Sequence, residues 1–476
     1  MPTAVSAPGK VLLAGGYLVL DRTYTGLVFG LSARIHVLVH DISSSSSVEI
    51  SVQSPQFHQA AWIYGYHLIS DQGGVDVTQL QGYEHFSLLS RLVASPLFFF
   101  GTSSSINKHS PSTSHSAVPA ARNPFVETAL LYALTYISTV LSASQKIKPT
   151  KITILADDSY YSNPATSTVT PSSHFSNFDV SLRDAHKTGL GSSAALVTSF
   201  TGAVLAHYLP TSSFDLTTTE GQTILHNISQ AAHCSAQGKV GSGFDVAAAV
   251  YGTCIYRRFS PSILSYIGEA GSKDFSKRVK TIVENTASSG SEKWDTEISA
   301  NSVTLPKGLA MVMCDVDCGS QTVGMVKKVL EWRKSDAEGS KKLWDELQSS
   351  NTALATAISA GSIPGIKSAF SSIREKIREM GKLSDVPIEP QEQTELIDAL
   401  TEAVPGVVGG VVPGAGGYDA VSLLVKDDEE TMTKTKAFLK KWSAYHNKGT
   451  VRLLEAKGEL EGARLEKVEE YGDGFA

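Results

Sequence analysis

The chain has 476 residues, enough for two or three domains with buried cores, and its 42% hydrophobic content is ordinary for a globular protein. A net charge of −6 at pH 7 argues against nucleic acid as a main partner, so any cations that hold an anionic ligand must be concentrated locally. Four cysteines in so long a chain favour a reducing compartment, and the N-terminus lacks the basic and apolar segments of a signal peptide. We therefore expect a cytoplasmic protein with no membrane span and no obligatory protein partner.

Hydrophobic patterning predicts mixed strands and helices over the first 260 residues. The predicted strands lie near 11–14, 33–39, 48–52, 151–156 and 253–259, and the predicted helices near 124–141, 192–208 and 221–237. The stretches 101–118 and 157–176 are rich in Ser, Thr or Pro and are predicted to be loops.

A change of composition follows, and residues 261–299 are interpreted as a polar connecting segment. Beyond it we predict strands near 309–316, 421–426 and 451–455, and helices near 321–334, 339–359, 363–381, 390–403 and 428–445. Strands and helices do not alternate strictly, which predicts an α+β fold and not a doubly wound sheet. The predicted domains are residues 1–260 and 300–476.

The first candidate functional element is near the N-terminus. Pro8-Gly9 is predicted to be a turn, Val11–Ala14 a buried strand, and Gly15-Gly16 its end. Lys10 would then lie at the start of this strand. A solvated surface lysine beside a hairpin is the alternative interpretation.

The second and most informative element is the segment from Lys187 to Leu196, which reads KTGLGSSAAL. Its glycines permit a tight turn and close approach of a ligand, and its serines offer hydroxyls or a helix cap. A loop that leads into a helix directs N–H groups and the positive end of the helix dipole at an anion, such as the polyphosphate of a nucleotide. Lys187 would add a point charge. A plain glycine turn with a serine cap is the alternative.

The spacing Gly189-x-Gly191-x-x-Ala194 also fits a dinucleotide-binding fingerprint. That fingerprint should follow a buried strand, but residues 183–187 are too polar for one. The pattern therefore favours a nucleotide triphosphate over a dinucleotide.

Two further glycine-rich segments complete the set. Residues 238–249 contain closely spaced glycines before Asp245, which lies where a short helix could start and could simply be its N-cap. Residues 413–420 are too glycine-rich for the interior of a strand or helix.

The four segments, in this order, resemble the motifs of the GHMP kinase superfamily. Residues 186–194 and 237–245 are similar in sequence to its fungal and plant phosphomevalonate kinases. The resemblance implies an N-terminal α/β domain and a C-terminal ferredoxin-like domain with the active site in the cleft. It also implies ATP- and Mg²⁺-dependent phosphorylation of 5-phosphomevalonate to 5-diphosphomevalonate.

The resemblance implies roles for individual residues. Lys10 and Asp245 match the catalytic pair, and Ser192 is the expected magnesium ligand. The expected ATP-binding residues are Lys187, Gly189, Leu190, Gly191, Ser192, Ser193 and Ala194. The expected acceptor-binding residues are Tyr17, Lys239, Ser242, Gly243 and Arg258, and the supporting loop is Gly414, Ala415, Gly416 and Gly417.

One departure from the family concerns the helix before Asp245. Many relatives carry a magnesium-binding Glu there, but helix 221–237 has no carboxylate and Glu220 lies at its start. His233 on this helix is interpreted as an ordinary helix histidine. Three alternatives remain open: another acceptor such as mevalonate, homoserine or galactose; a dinucleotide-dependent oxidoreductase; and an inactive sensor, against which the presence of both Lys10 and Asp245 argues.

Overall fold

The computed structural model describes residues 2–43, 49–80, 121–142, 145–161, 175–287, 293–317, 324–446 and 449–472. The strands are β1 (Thr3–Ala14), β2 (Gly26–Asp41), β3 (Glu49–Gln53), β4 (Ala61–Ile69), β5 (Gly74–Gln79), β6 (Thr150–Ala156), β7 (Cys254–Arg257), β8 (Glu297–Ala300), β9 (Leu309–Asp317), β10 (Val407–Val411), β11 (Ala420–Lys426), β12 (Thr450–Glu459) and β13 (Arg464–Glu466). The helices are α1 (Pro124–Val140), α2 (Ser192–Tyr208), α3 (Thr219–Gln237), α4 (Phe244–Tyr251), α5 (Ser262–Ile267), α6 (Phe275–Val283), α7 (Met325–Ser335), α8 (Ala337–Ser359), α9 (Ile363–Ser384), α10 (Gln391–Ala403) and α11 (Glu429–His446). The loop predicted at 101–118 and most of the one at 157–176 lie outside the described residues.

The strands form one mixed sheet in the order β10-β11-β9-β12-β2-β6-β3-β4-β5. Strand β12 pairs with both β9 and β2, so it joins strands from the two halves of the chain. All pairings along this path are antiparallel except β3 with β6. The predicted α+β class is confirmed, whereas the division into two domains stays a prediction.

Helix α2 lies in the middle of the N-terminal half, where it packs on β1 and β2 and between α1 and α3. Its sequence is apolar or small on every side, and side chains from Ala194 to Leu205 are buried almost without a break. A helix that is apolar all round must be covered on all faces. The N-terminal end of α2 is therefore held rigidly relative to the sheet. Among the described residues, no helix combines the length and apolar character needed to cross a bilayer.

The predicted turn at Pro8-Gly9 is wrong. Strand β1 runs through both residues, with a shift in its register against β2 between Pro8 and Lys10. At this bulge the main-chain N–H of Lys10 leaves the ladder and donates to the carbonyl of Leu190 at 2.8 Å. The proline and glycine thus mark a β-bulge within a strand.

Residues 261–299 are more than a polar connection. Helices α5 and α6 occupy part of this segment, and β8 near its end pairs with β7. Phe275, Val279 and Ile282 of α6 are buried in the main core, three or four residues apart on one face. The polar residues between them, mostly Lys and Arg, hid this amphipathic pattern.

The glycine-rich loop at 413–417 is attached to the N-terminal motif. Gly414 donates its N–H to the carbonyl of Leu12 at 3.1 Å, and the hydroxyl of Tyr17 donates to the carbonyl of Ala415 at 2.7 Å. A Cβ atom on Gly16 would lie 2.3 Å from the carbonyl oxygen of Gly414. Two segments almost four hundred residues apart therefore meet through their backbones.

We expect Gly416→Ala to destabilise the protein distinctly more than Gly414→Ala. Both glycines have positive φ, +80° and +67°, so alanine at either position costs about 1–2 kcal/mol of backbone strain. A Cβ atom on Gly416 would also lie 2.2 Å from the carbonyl oxygen of Ile388, whereas one on Gly414 meets nothing within 4 Å. Urea unfolding of both variants measures the difference, and equal losses would contradict the described packing.

Candidate active site

The central feature is the uncapped N-terminus of α2. Gly191 precedes the helix in the left-handed region, with φ of 82°, and no side chain of the described residues caps the terminus. The serine cap considered from the sequence is absent, because Ser192 is the first helical residue. The first N–H groups of a helix have no partner within it, and the helix dipole makes this end positive. The terminus can therefore accept an anion.

The loop that leads into α2 is held from both sides. On one side Leu190 accepts the N–H of Lys10; on the other, Thr188 donates its N–H to Tyr160 at 3.1 Å and its hydroxyl to Ser159 at 2.6 Å, both to carbonyls. Turns and bends precede the loop, and no strand leads into it, so the structural context of a dinucleotide fingerprint is missing. Since the side chains of Leu190 and Ala194 are buried, only their main-chain groups can meet a ligand.

Lys10 lies directly beside this terminus. Its Nζ donates to the carbonyl of Gly189 at 3.2 Å and lies 5.8 Å from the ring centroid of Phe244. A Cβ atom on Gly191 would come within 2.8 Å of Cε of Lys10, so glycine is required there by contact as well as by φ. Burial lowers the pKa of the Lys10 ammonium, and the negative charge of Asp245 opposes that shift.

Asp245 reaches the same place from α4. Gly243, with φ of 85°, precedes this helix, and Asp245 is its second residue, so it is not the N-cap. The carboxylate is half-buried, and Oδ1 accepts the N–H of Val246 at 3.0 Å. Nζ of Lys10 lies 5.8 Å from the ring centroid of Phe244, the residue before Asp245, so the predicted catalytic amine lies beside the helix that carries the predicted acid. Their catalytic pairing stays a prediction.

His233 is a site residue that the sequence analysis did not select. Nε2 lies 3.1 Å from Oγ of Ser193, 3.3 Å from Nε2 of Gln237 and 3.9 Å from Oδ2 of Asp245. The only hint in the sequence was that α3 offers no carboxylate on its last turns, which leaves His233 as their titratable side chain besides the thiol of Cys234. The imidazole touches both halves of the predicted site.

The residues predicted to bind substrates differ in their exposure to solvent. Lys239 and Lys187 are exposed, so their ammonium groups are available to an anion. Tyr17 is 3% exposed, and its hydroxyl already donates to Ala415. Gly243 is buried, and a Cβ there would lie 2.7 Å from the hydroxyl of Tyr256. Tyr17 and Gly243 therefore hold the framework together in this structure, and their role in acceptor binding stays a prediction.

Arg258 holds the segment that precedes Asp245. Its guanidinium donates to the carbonyls of Leu20 at 2.7 Å, Gly241 at 2.8 Å and Val240 at 3.3 Å. Among the described residues its Nε has no hydrogen-bond partner although it is buried. Its neighbour Arg257 instead donates to Glu297 and to the carbonyls of Arg22 and Thr23. Of the two arginines, Arg258 is thus the one that contacts the 238–243 loop, beside the half-buried Ser242.

The oxygen donors near the helix terminus fit magnesium bound together with a nucleotide. No group of three or more His, Cys, Asp or Glu residues suited to a metal occurs in the described part of the chain. Ser192, Ser193 and Asp245 nevertheless offer hydroxyl and carboxylate oxygens, which this ion prefers. Magnesium commonly takes one or two protein ligands and completes its shell with phosphates and water.

Comparison with known proteins agrees with this geometry. Residues 173–253, which include the α2 terminus and Asp245, match the family described as GHMP kinases N terminal domain. A phosphomevalonate kinase of Gibberella zeae is 52% identical over 98% of this chain and 97% of its own length. A peroxisomal phosphomevalonate kinase of Arabidopsis thaliana is 31% identical over 90% of this chain and 91% of its own.

The fold is also shared with a solved structure of Streptococcus pneumoniae phosphomevalonate kinase in complex with phosphomevalonate and AMPPNP. The TM-score is 0.58 at 15% identity, with 96% of this chain and 99% of that chain covered. The chain therefore belongs to the GHMP kinase superfamily. Within that superfamily it belongs to the phosphomevalonate kinase family.

We expect Asp245→Asn to lower the pKa of Lys10 further, because the substitution removes the charge that opposes the effect of burial. Lys10 would then lose its proton at a lower pH and react with acetic anhydride at a lower pH than in the wild type. Mass spectrometry of the labelled peptide measures this. Asp215→Asn is the control, since that carboxylate has no part in the shift. An unchanged labelling profile in Asp245→Asn would show that the two groups are not coupled.

We expect Arg258→Met to loosen residues 238–243, because three carbonyl acceptors at Leu20, Val240 and Gly241 lose their donor. Hydrogen exchange read by mass spectrometry should speed up severalfold in peptides that cover this loop. Arg257→Met is the matched variant, and its effect should fall on residues 22–23 instead. Faster exchange at 238–243 in both variants would argue against a specific role for Arg258.

Proposed function

We propose that this chain transfers the γ-phosphoryl group of ATP to the phosphate of 5-phosphomevalonate, which gives 5-diphosphomevalonate and ADP. The observation that supports it most is the position of Lys10 between the uncapped terminus of α2 and the start of α4, in a chain similar over nearly its full length to phosphomevalonate kinases. Phosphoryl transfer asks the protein to align donor and acceptor and to neutralise charge, and little else.

In this proposal the segment from Gly189 to Ala194 binds the ATP phosphates with main-chain N–H groups, aided by the helix dipole and by the exposed Lys187. Ser192 and Ser193 place their hydroxyls at the same end of α2, where Ser192 is the proposed protein ligand of Mg²⁺. When bound, the ion would offset phosphate charge and help to orient the donor.

Lys10 is the proposed stabiliser of the charge that develops on the transferred phosphoryl group. It must therefore keep its proton, which burial makes harder and Asp245 makes easier. A phosphomonoester acceptor is already largely ionised near neutral pH and has no hydroxyl proton to lose. Asp245 is accordingly proposed to maintain the charge and orientation of Lys10 and to position the acceptor, and not to act as a general base.

The acceptor carries a carboxylate and a phosphate, and the net charge of the protein is −6, so its cations must be local. Lys239 is exposed on the loop between α3 and α4, six residues before Asp245. The guanidinium of Arg258 holds the same loop through the carbonyls of Val240 and Gly241. We propose Lys239 as the main cation that binds the acceptor.

We also propose a cytoplasmic location for the reaction. Cell fractionation against a peroxisomal marker tests it.

We expect Lys10→Met and Asp245→Asn each to reduce turnover by on the order of a hundredfold or more, while the fold is kept. ADP release measured with Mg²⁺-ATP and a panel of phosphomevalonate, mevalonate, homoserine and galactose tests both the residues and the acceptor. Lys277→Met, at an exposed position, and Asp215→Asn, at a half-buried position in the turn before α3, are controls outside the site. Near-normal turnover in either site variant would refute the catalytic assignment, and preference for another acceptor would refute the proposed substrate.

A further inference from the structure

His233 lies at the junction of three helices of the site. It is 2% exposed on α3, and its ring stacks on Phe125 with centroids 5.6 Å apart. Its Nε2 faces Ser193 at the start of α2, Gln237 one turn further along α3, and Asp245 at the start of α4. Nε2 therefore faces the starts of both α2 and α4, the two predicted ligand-binding termini. From this position the buried imidazole can orient polar side chains at these termini.

The groups around Nε2 of His233 indicate its role in hydrogen bonding. The amide nitrogen of Gln237 lies 3.3 Å away and can only donate, so Nε2 is the acceptor in this arrangement. The hydroxyl of Ser193, at 3.1 Å, is then a second donor that shares the single lone pair of Nε2 with Gln237. Asp245 at 3.9 Å is beyond hydrogen-bond distance and receives no proton from this nitrogen. Its carboxylate stays available to Lys10.

This arrangement has a chemical consequence for Ser193. A hydroxyl can offer both lone pairs to a cation or to a further donor only when its proton is directed at another acceptor. Helix α3 carries no carboxylate except Glu220 in its first turn, at the opposite end from His233. Within the described residues, His233 is therefore the acceptor that α3 supplies for this hydroxyl.

We propose that His233 is a positioning residue of this site, which accepts the proton of the Ser193 hydroxyl and so directs the lone pairs of that oxygen to the magnesium-bound nucleotide. This inference rests on the proposed function, because it assumes that a nucleotide with its metal binds at the α2 terminus. His233 itself does not touch the reacting groups. It acts through Ser193.

Calorimetry with AMPPNP, in the presence and absence of MgCl₂, tests the proposal without turnover. The wild type should bind the analogue more tightly with the metal. In His233→Leu this metal-dependent gain should fall on the order of tenfold, as expected when the group that orients a ligand is lost, while metal-free affinity stays within about twofold. His233→Gln retains an oxygen acceptor at similar reach and should keep most of the gain.

Ser193→Ala provides the matched variant, because it removes the group through which His233 is proposed to act. It should lose the same metal-dependent gain, and the double variant with His233→Leu should lose no more than either single variant. In turnover assays, His233→Leu should lower kcat and raise the magnesium requirement, with the KM for phosphomevalonate unchanged.

Several outcomes would overturn the inference. The first is a full metal-dependent gain in affinity in His233→Leu. The second is an equal loss of AMPPNP affinity with and without metal in that variant, which would indicate a structural role alone. The third is additive losses in the double variant. A wild type that phosphorylates phosphomevalonate while His233→Leu keeps the full gain would leave the proposed function standing and remove this inference. A wild type that binds no AMPPNP would contradict both.

Discussion

The hydrogen bond from the main-chain N–H of Lys10 to the carbonyl of Leu190 determines how the site is assembled. It joins a bulge in β1 to the loop that leads into α2. The same hydrogen bond therefore fixes the backbone of Lys10 relative to the helix terminus. Gly9 and Gly191 allow this approach, since a Cβ on Gly9 would lie 2.9 Å from that same carbonyl oxygen. The charge of Lys10 therefore keeps one position relative to the anion site, which is the kind of preorganisation that phosphoryl transfer requires.

Elements with strong local signals were predicted well from the sequence. Helix α2 begins at Ser192 and ends at Tyr208 as predicted, because a left-handed glycine precedes a long run of apolar and small residues. Helices α8, α10 and α11 also lie within two residues of their predicted bounds, since their apolar positions recur at helical spacing. The catalytic pairing of Lys10 and Asp245 was inferred from the resemblance of four motifs and stays a prediction, while the structure places Lys10 near Phe244 at the start of α4.

Features that depend on contacts between distant segments were missed. Proline and glycine at 8–9 usually indicate a turn, but pairing with β2 on both sides of Gly9 keeps β1 extended through them. The charged residues of α6 concealed its single buried face. The contact between His233 and Ser193 joins residues forty positions apart and leaves no periodic trace in the chain. Local composition cannot report which surfaces meet.

The last described residues complete the first strand, and this bears on how a nascent chain acquires the site. Strand β13 pairs with β1 at Ala4 to Ser6, and the buried guanidinium of Arg34 donates to the carbonyl of Gly462. During synthesis these partners leave the ribosome more than four hundred residues after the segments they bind. Until then this edge of β1 is unpaired. Chaperones would protect this unpaired strand edge from aggregation during that interval.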